Sequence, residues 1–246
     1  MFALPFILLA GILGVPTSCV GCSMAGMDLH GQDLRGVAWV GANLRGANLR
    51  GAVLSGAHLA GVNLREADLR DADLSDAELA GVDLQGARLD GARLQGIRIA
   101  GSDLSGSFLH GLPGQQARAL LMRCAGCRLS HVDLRGKNLS SVELAGSDLG
   151  DSDLSGASWR NAMLLGDEFR NTDLRNADFQ GAAVCARDRD GEVHCSDFAG
   201  ADLRGANLRG TQICDAFRDE ERRCSALDAA TLRRLGHADL NGAQGP

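Results

Sequence analysis

Residues 62–84 read VNLREADLRDADLSDAELAGVDL, and residues 86–99 continue GARLDGARLQGIRI. A leucine or isoleucine stands at every fifth position across both: Leu64, Leu69, Leu74, Leu79, Leu84, Leu89, Leu94 and Ile99. Two positions before each stands an alanine, valine or isoleucine. On an α-helix five residues advance a side chain by about 500°, so the leucines would spiral around the surface. On a straight strand an odd period would put successive leucines on opposite faces. Only a backbone that turns a corner once per repeat points every leucine inward. The small residue two positions earlier then lets the coil close, and the glycines at 46, 51 and 56 suit the corners.

The pattern runs outward from this stretch in both directions. It begins at Leu29 and continues through Trp39 to Leu109. It resumes from Leu129 through Trp159 and Phe169 to Val184, then as Phe198, Leu203, Leu208 and Ile213. Units such as GANLRGANLRG and GADLRGANLRG resemble the pentapeptide-repeat family, written A-[DN]-L-x-x, over most of the chain. The resemblance implies an all-β solenoid: a right-handed quadrilateral β-helix with one pentapeptide per side and four pentapeptides per coil, so that residue n stacks on residue n+20.

The position before each leucine is usually Asp or Asn, but it is arginine at Arg88, Arg93 and Arg98. One coil earlier stand Asp68, Asp73 and Glu78. The coil length therefore predicts the inter-coil charge pairs Asp68–Arg88, Asp73–Arg93 and Glu78–Arg98, each worth about 0–1 kcal/mol at a surface.

Leu109 and Leu129 are four pentapeptide steps apart, which reads as one coil. The segment between lacks inward leucines, and QQARALLMR after Pro113 and Gly114 reads as a short helix. This gives a helical cap or junction with a CxxC over 111–128, either dividing two blocks or replacing a coil of one rod. The first array is then 26–110 and the second 129–213.

The cysteines point to disulfides. Candidates are Cys124, Cys127, Cys185, Cys195, Cys214 and Cys224, an even set in a chain that reads as exported. CARDRDGEVHC and CDAFRDEERRC each enclose nine residues, and excising the nine restores the five-residue register in both cases. Both are therefore loops inserted at a corner with a cysteine at each foot. Val184 and Ile213 are separated by one coil plus the nine inserted positions, so the loops leave one side of the rod a coil apart. Their side chains Arg187, Asp188, Arg189, Asp190, Glu192, Phe217, Arg218, Glu220 and Arg222 form the candidate interaction surface.

The ends carry further expectations. No charged side chain precedes Asp28, and the apolar run from Phe2 to Val15 resembles a secretory signal peptide without the usual basic start. Residues 1–25 thus read as a signal peptide cleaved after Ala25, a lipoprotein leader modified at Cys19 or Cys22, or an uncleaved anchor. At the other end, 214–246 reads as the second loop, a capping helix in SALDAATLRRLG entered at Ser225 and ended by Gly236, and a loose tail NGAQGP.

Composition and motifs exclude several classes. The 246 residues carry 25 basic and 31 acidic side chains, net −6, in a mixed pattern that is not a nucleic-acid footprint. Aromatics are 4% and Tyr is absent, so the core is built from small aliphatics. The CxxC is followed by Arg128, not the histidine that haem attachment needs. Cys124, Cys127 and His131 lack a fourth zinc ligand, and the DRDG at 188–191 lacks the remaining acids of a calcium loop. Asp133, Asp153 and Asp173 stack as an acidic column, tempered by Arg135 and Arg175. There is no phosphate loop and no catalytic acid–base set, so neither cofactor nor small-molecule substrate is expected. The sequence reads as a non-catalytic, exported scaffold or protein-interaction rod with an unidentified protein partner, and with membrane contact only through its leader. The alternative, implied by the family, is a cytoplasmic DNA-mimicking binder of DNA gyrase.

Overall fold

A computed structural model describes residues 15–122, 124–190, 192–215, 224–226 and 239–245. The chain winds as a β-solenoid with four faces, A to D in chain order, and each face recurs after four pentapeptides. Face C carries the regular strands. β1 (Ser18–Val20), β2 (Ala38–Val40), β3 (His58–Ala60) and β4 (Glu78–Ala80) form one parallel sheet. β5 (Glu143–Ala145), β6 (Met163–Leu165), β7 (Ala183–Arg187) and β9 (Gln212–Asp215) continue the same face in a second. Two antiparallel strands, β8 (Val193–Cys195) and β10 (Cys224–Ala226), fold back on β7 and β9. The other faces are stacked by single bridges, such as Asn48 to Asp68 and Asn43 to Asn63.

The leucines of the period point inward, and the core is one continuous cluster from Met24 to Ile213. The structure also explains the Asp or Asn before each leucine. Its Oδ1 accepts the N–H two residues on, as in Asp28 to His30, Asn43 to Arg45 and Asp73 to Ser75. This local turn fixes the strand-to-corner bend. The corner residue itself has positive φ. It is mostly glycine, with Asp, Asn, Glu, Ser or His elsewhere, as at Asp71, Asn161 and Asn171.

Four details differ from the sequence reading. The solenoid starts at β1 and not at residue 26, because Ser18–Val20 pairs in register with Ala38–Val40 and the Trp39 indole donates to the Pro16 carbonyl. The greater part of the apolar leader, 1–14, lies outside the described residues. The coil at the junction is one pentapeptide longer than the others: Asp103 bridges Arg128, and the Leu104 N–H bonds the Arg128 carbonyl. The cause is helix α1 (Gly114–Leu121), which stands in for face B and needs more chain than the pentapeptide side it replaces. Its Gln116 side chain accepts the Leu94 N–H that a backbone carbonyl would otherwise take, and Lys137 donates to the carbonyls of His110 and Leu112. Face D runs past the helix unbroken, from Asp83 through Asp103 and Arg128 to Asp148, so the rod is continuous.

The third difference is the end of the chain. The tail expected to be loose is wound into the solenoid at Gln244, bridged to Asn207, as is Asp239 just before that tail, bridged to Asp202. The physical reason is visible in the residues: ADLNG at 238–242 is itself a repeat unit. The capping helix expected after Ser225 falls largely outside the described residues. Fourth, Asp68 and Arg88 stack in register, but Asp68 is held by Arg70 on its own coil while Arg88 turns to Asp90. The other two pairs form as ion pairs, Arg98–Glu78 at 2.5 Å and Arg93–Asp73 at 3.7 Å.

Candidate interaction site

The two cysteine-footed insertions are hairpins that leave face C at its junction with face D. Cys185 is bonded to Cys195 and Cys214 to Cys224, each pair opposite across its own hairpin. The feet close so that the Ser196 N–H bonds the Val184 carbonyl and the coil resumes. Glu168 then bridges Asp197, an offset of one coil plus the nine inserted positions. β7 and β9 lie side by side and parallel, with Ala186 against Cys214 and Arg187 against Asp215. The hairpins thus emerge together, one coil apart, and Arg187 reaches to 3.9 Å of Asp215 between them.

Asp188 organises the first hairpin. Its Oδ1 accepts the N–H groups of Asp190 and Glu192, and its Oδ2 meets the His194 ring at 3.0 Å. The His194 contact, with those backbone donors, holds the Asp188 carboxyl below its ordinary range. Arg187, Arg189, Asp190 and Glu192 stand exposed on this knit frame. Phe217, Arg218, Glu220 and Arg222 lie outside the described residues.

The remaining cysteines are also joined, Cys124 to Cys127 within the core and Cys19 to Cys22 in the first coil. Each pair links an inward leucine position of face C to the small inward position three residues on, and the two stretches share the form CxGCx[ML]xxxDLxG. Both thiols proposed for lipid attachment, at 19 and 22, are committed to a disulfide here.

The acidic column is longer than the three residues seen in sequence: Asp133, Asp153, Asp173, Asp202 and Asp239 stack on face A. Arg135, Arg175 and Arg204 each grip the Asp two residues before and lean toward the next in the column. Those side-chain hydrogen bonds hold Asp173 and Asp202 below the usual carboxylate range. Among the described residues no group of three His, Cys, Asp or Glu is placed to hold a metal ion, and no helix is long and apolar enough to cross a membrane.

One group was missed in sequence. Asp167 occupies a small inward slot, two before Phe169, and is fully buried. Counting back two from each inward residue would have found it, since it is the one carboxylate in such a slot among the described coils.

The profile of pentapeptide repeats matches residues 17–51, 40–76, 77–111, 123–161 and 194–217, in eight copies. No curated protein matches significantly. Among solved structures, HetL, a pentapeptide repeat protein involved in heterocyst differentiation regulation from the cyanobacterium Nostoc sp., is 27% identical. That match covers 92% of this chain and 84% of HetL, with TM-score 0.43. QnrB1, a plasmid-mediated fluoroquinolone resistance protein, is 21% identical over 76% of this chain and 91% of its own, with TM-score 0.54. A pentapeptide repeat protein of the Arabidopsis thaliana thylakoid lumen is 33% identical over 47% of this chain and 83% of its own, with TM-score 0.33. With its repeats matched over more than half its length and its β-solenoid closing a turn with every fourth pentapeptide, the chain belongs to the pentapeptide repeat family.

Proposed function

We propose that this protein is a non-catalytic, extracytoplasmic interaction rod that presents its paired hairpins to a protein partner. The observation that carries the reading is the parallel seating of β7 on β9, which sets two disulfide-footed hairpins side by side on one face. The Cys185–Cys195 foot and the Asp188 hydrogen bonds brace the first hairpin, and a braced protrusion loses less entropy on binding than a loose loop. Cysteines paired throughout the described chain favour an oxidising compartment.

A second reading rests on a different surface. The five-Asp column of face A is a regular line of negative charge, which suits a DNA-mimicking binder of DNA gyrase in the cytoplasm. QnrB1 supports this only as a relative in fold. The arginines between the acids neutralise much of the column, which favours the first reading.

Fractionating the producing cells with thiols trapped separates the two. The first reading expects the protein outside the cytoplasm with no trappable thiol. Cytoplasmic protein with free thiols would remove it, and protection of gyrase from a quinolone in a supercoiling assay would then establish the second.

A further inference from the structure

At several corners of the solenoid the usual turn hydrogen bond is open, and a side chain from the next coil bridges it. Ser102 Oγ donates to the Leu79 carbonyl at 2.8 Å and accepts the Val82 N–H at 3.2 Å. Ser147 does the same for Cys124 and Cys127, at 2.7 and 3.3 Å. Ser152 bridges Leu129 and Val132, and Ser196 bridges Leu164 and Asp167. A hydroxyl suits this slot because it donates and accepts at once.

The corner from Leu144 to Ser147 is bridged by Asp167 instead. Its Oδ1 accepts the Ser147 N–H at 2.8 Å, while its Oδ2 is buried without a partner. In the spacing that Ser102, Ser147 and Ser152 obey, the donor meets the carbonyl 23 residues earlier, which for Asp167 is Leu144. An ionised carboxylate has no proton to give that carbonyl, whereas a neutral acid fills both halves of the bridge.

We propose that Asp167 is a protonation latch: as a neutral acid it closes the Leu144–Ser147 corner, and on ionising it releases that corner beneath the first hairpin. Burial independently pushes its pKa up to about 7, against the backbone N–H groups of Ser147 and Leu165, which lower it. Among the described residues nothing charged faces the side chain. Its surroundings are Leu144 and Ser147 on the coil before, Ser196 on the coil after, and Leu164 and Leu165 on its own. Glu168 points outward to solvent, and the nearby His194 is turned to Asp188. The latch adjoins the hairpin because Ser196, which holds the Asp167 N–H, follows Cys195. It does not depend on what the hairpins bind.

The sign follows from the folded state holding the proton more tightly than the unfolded chain. The stabilisation is complete below the ordinary Asp value of 3.8 and is lost as the pH rises through about 7. The test is denaturant unfolding of the full, disulfide-bonded chain at pH 5 to 8, for wild type, Asp167→Asn and Asp167→Ser. Wild type should lose roughly a hundredfold in folding constant over that window. Both variants keep a donor and an acceptor in the slot without titrating, and should lose the slope. Serine is what the other corners use, so it remains informative if the asparagine variant folds poorly. A carboxylic-acid infrared band that fades over the same window and is absent from Asp167→Asn completes the assignment. A flat wild-type profile, or variants that retain the wild-type slope, overturns the proposal.

Discussion

The coils before and after helix α1 share one backbone and differ inside. Upstream, the core is mostly leucine over alanine, with Ala42, Val62 and Val82 filling the face C corner and hydroxyls entering only in the last coil at Ser102 and Ser107, and Trp39 is its one buried aromatic among the described residues. Downstream, Trp159, Phe169, Phe179 and Phe198 replace leucines, and Ser147, Ser152, Asp167, Thr172 and Ser196 replace the small apolar residues. Trp159 stacks over Phe179 and Phe169 over Phe198, with ring centroids 6.2 and 4.8 Å apart. Both interiors support the same coil because the inter-coil backbone bonds are the same. Leu64 N to the Asp83 carbonyl and Leu154 N to the Asp173 carbonyl are one bond at two places. The coil is therefore set by the hydrogen-bond ladder and the inward apolar row, while the filling decides how each half responds to mutation and pH.

The largest expected effect tests the filling directly. Phe169→Ala should cost about 3–5 kcal/mol, and Leu64→Ala about 2–5 kcal/mol, because each opens a cavity between fixed coils. Unfolding midpoints measured on the two variants would contradict the contrast if the leucine were clearly the costlier loss. Next comes the hairpin staple, present only downstream. Replacing Cys185 and Cys195 together by serine should cost about 3 kcal/mol by releasing a closed loop in the unfolded chain. Reductant should then lower the stability of that variant less than that of wild type.

A smaller effect separates the corners. Gly56 and Gly181 both have positive φ, but a Cβ at 56 meets open space while one at 181 collides with Asn161 Oδ1. Gly56→Ala should cost about 1–2 kcal/mol from the backbone conformation alone, and Gly181→Ala more. Equal losses would show that the asparagine moves aside freely. The smallest effect belongs to the upstream charge stack. A double-mutant cycle exchanging Glu78 and Arg98 should show coupling of about 0–1 kcal/mol. Zero coupling would leave the pair as a mark of register and nothing more.

Much of this was legible because the repeat makes position and environment the same thing. Residue 88 stacks on 68, and the nine-residue insertions rejoin the register, by counting alone. Counting failed where a side chain had a choice of partners or where the period broke. Asp68 could reach Arg70 or Arg88, and the nearer arginine on its own coil won. The junction took an extra pentapeptide because a helix and a strand need different lengths of chain to cover one side. Cys19 and Cys22 were read with the leader because the apolar run preceding them masked the periodicity, although they occupy the slots five residues before Met24 and Met27. Asp167 looked like one acid among many until its slot was known to face the core.

The claim that the paired hairpins are the working surface is tested most directly by photo-crosslinking in the native cell. A photoreactive residue is placed at Asp190 on the first hairpin in one chain, and at Arg50 on face A in another. The account predicts a discrete protein adduct from position 190 and none of the same mass from position 50. An identical adduct from position 50, or adducts from position 50 alone, would contradict it.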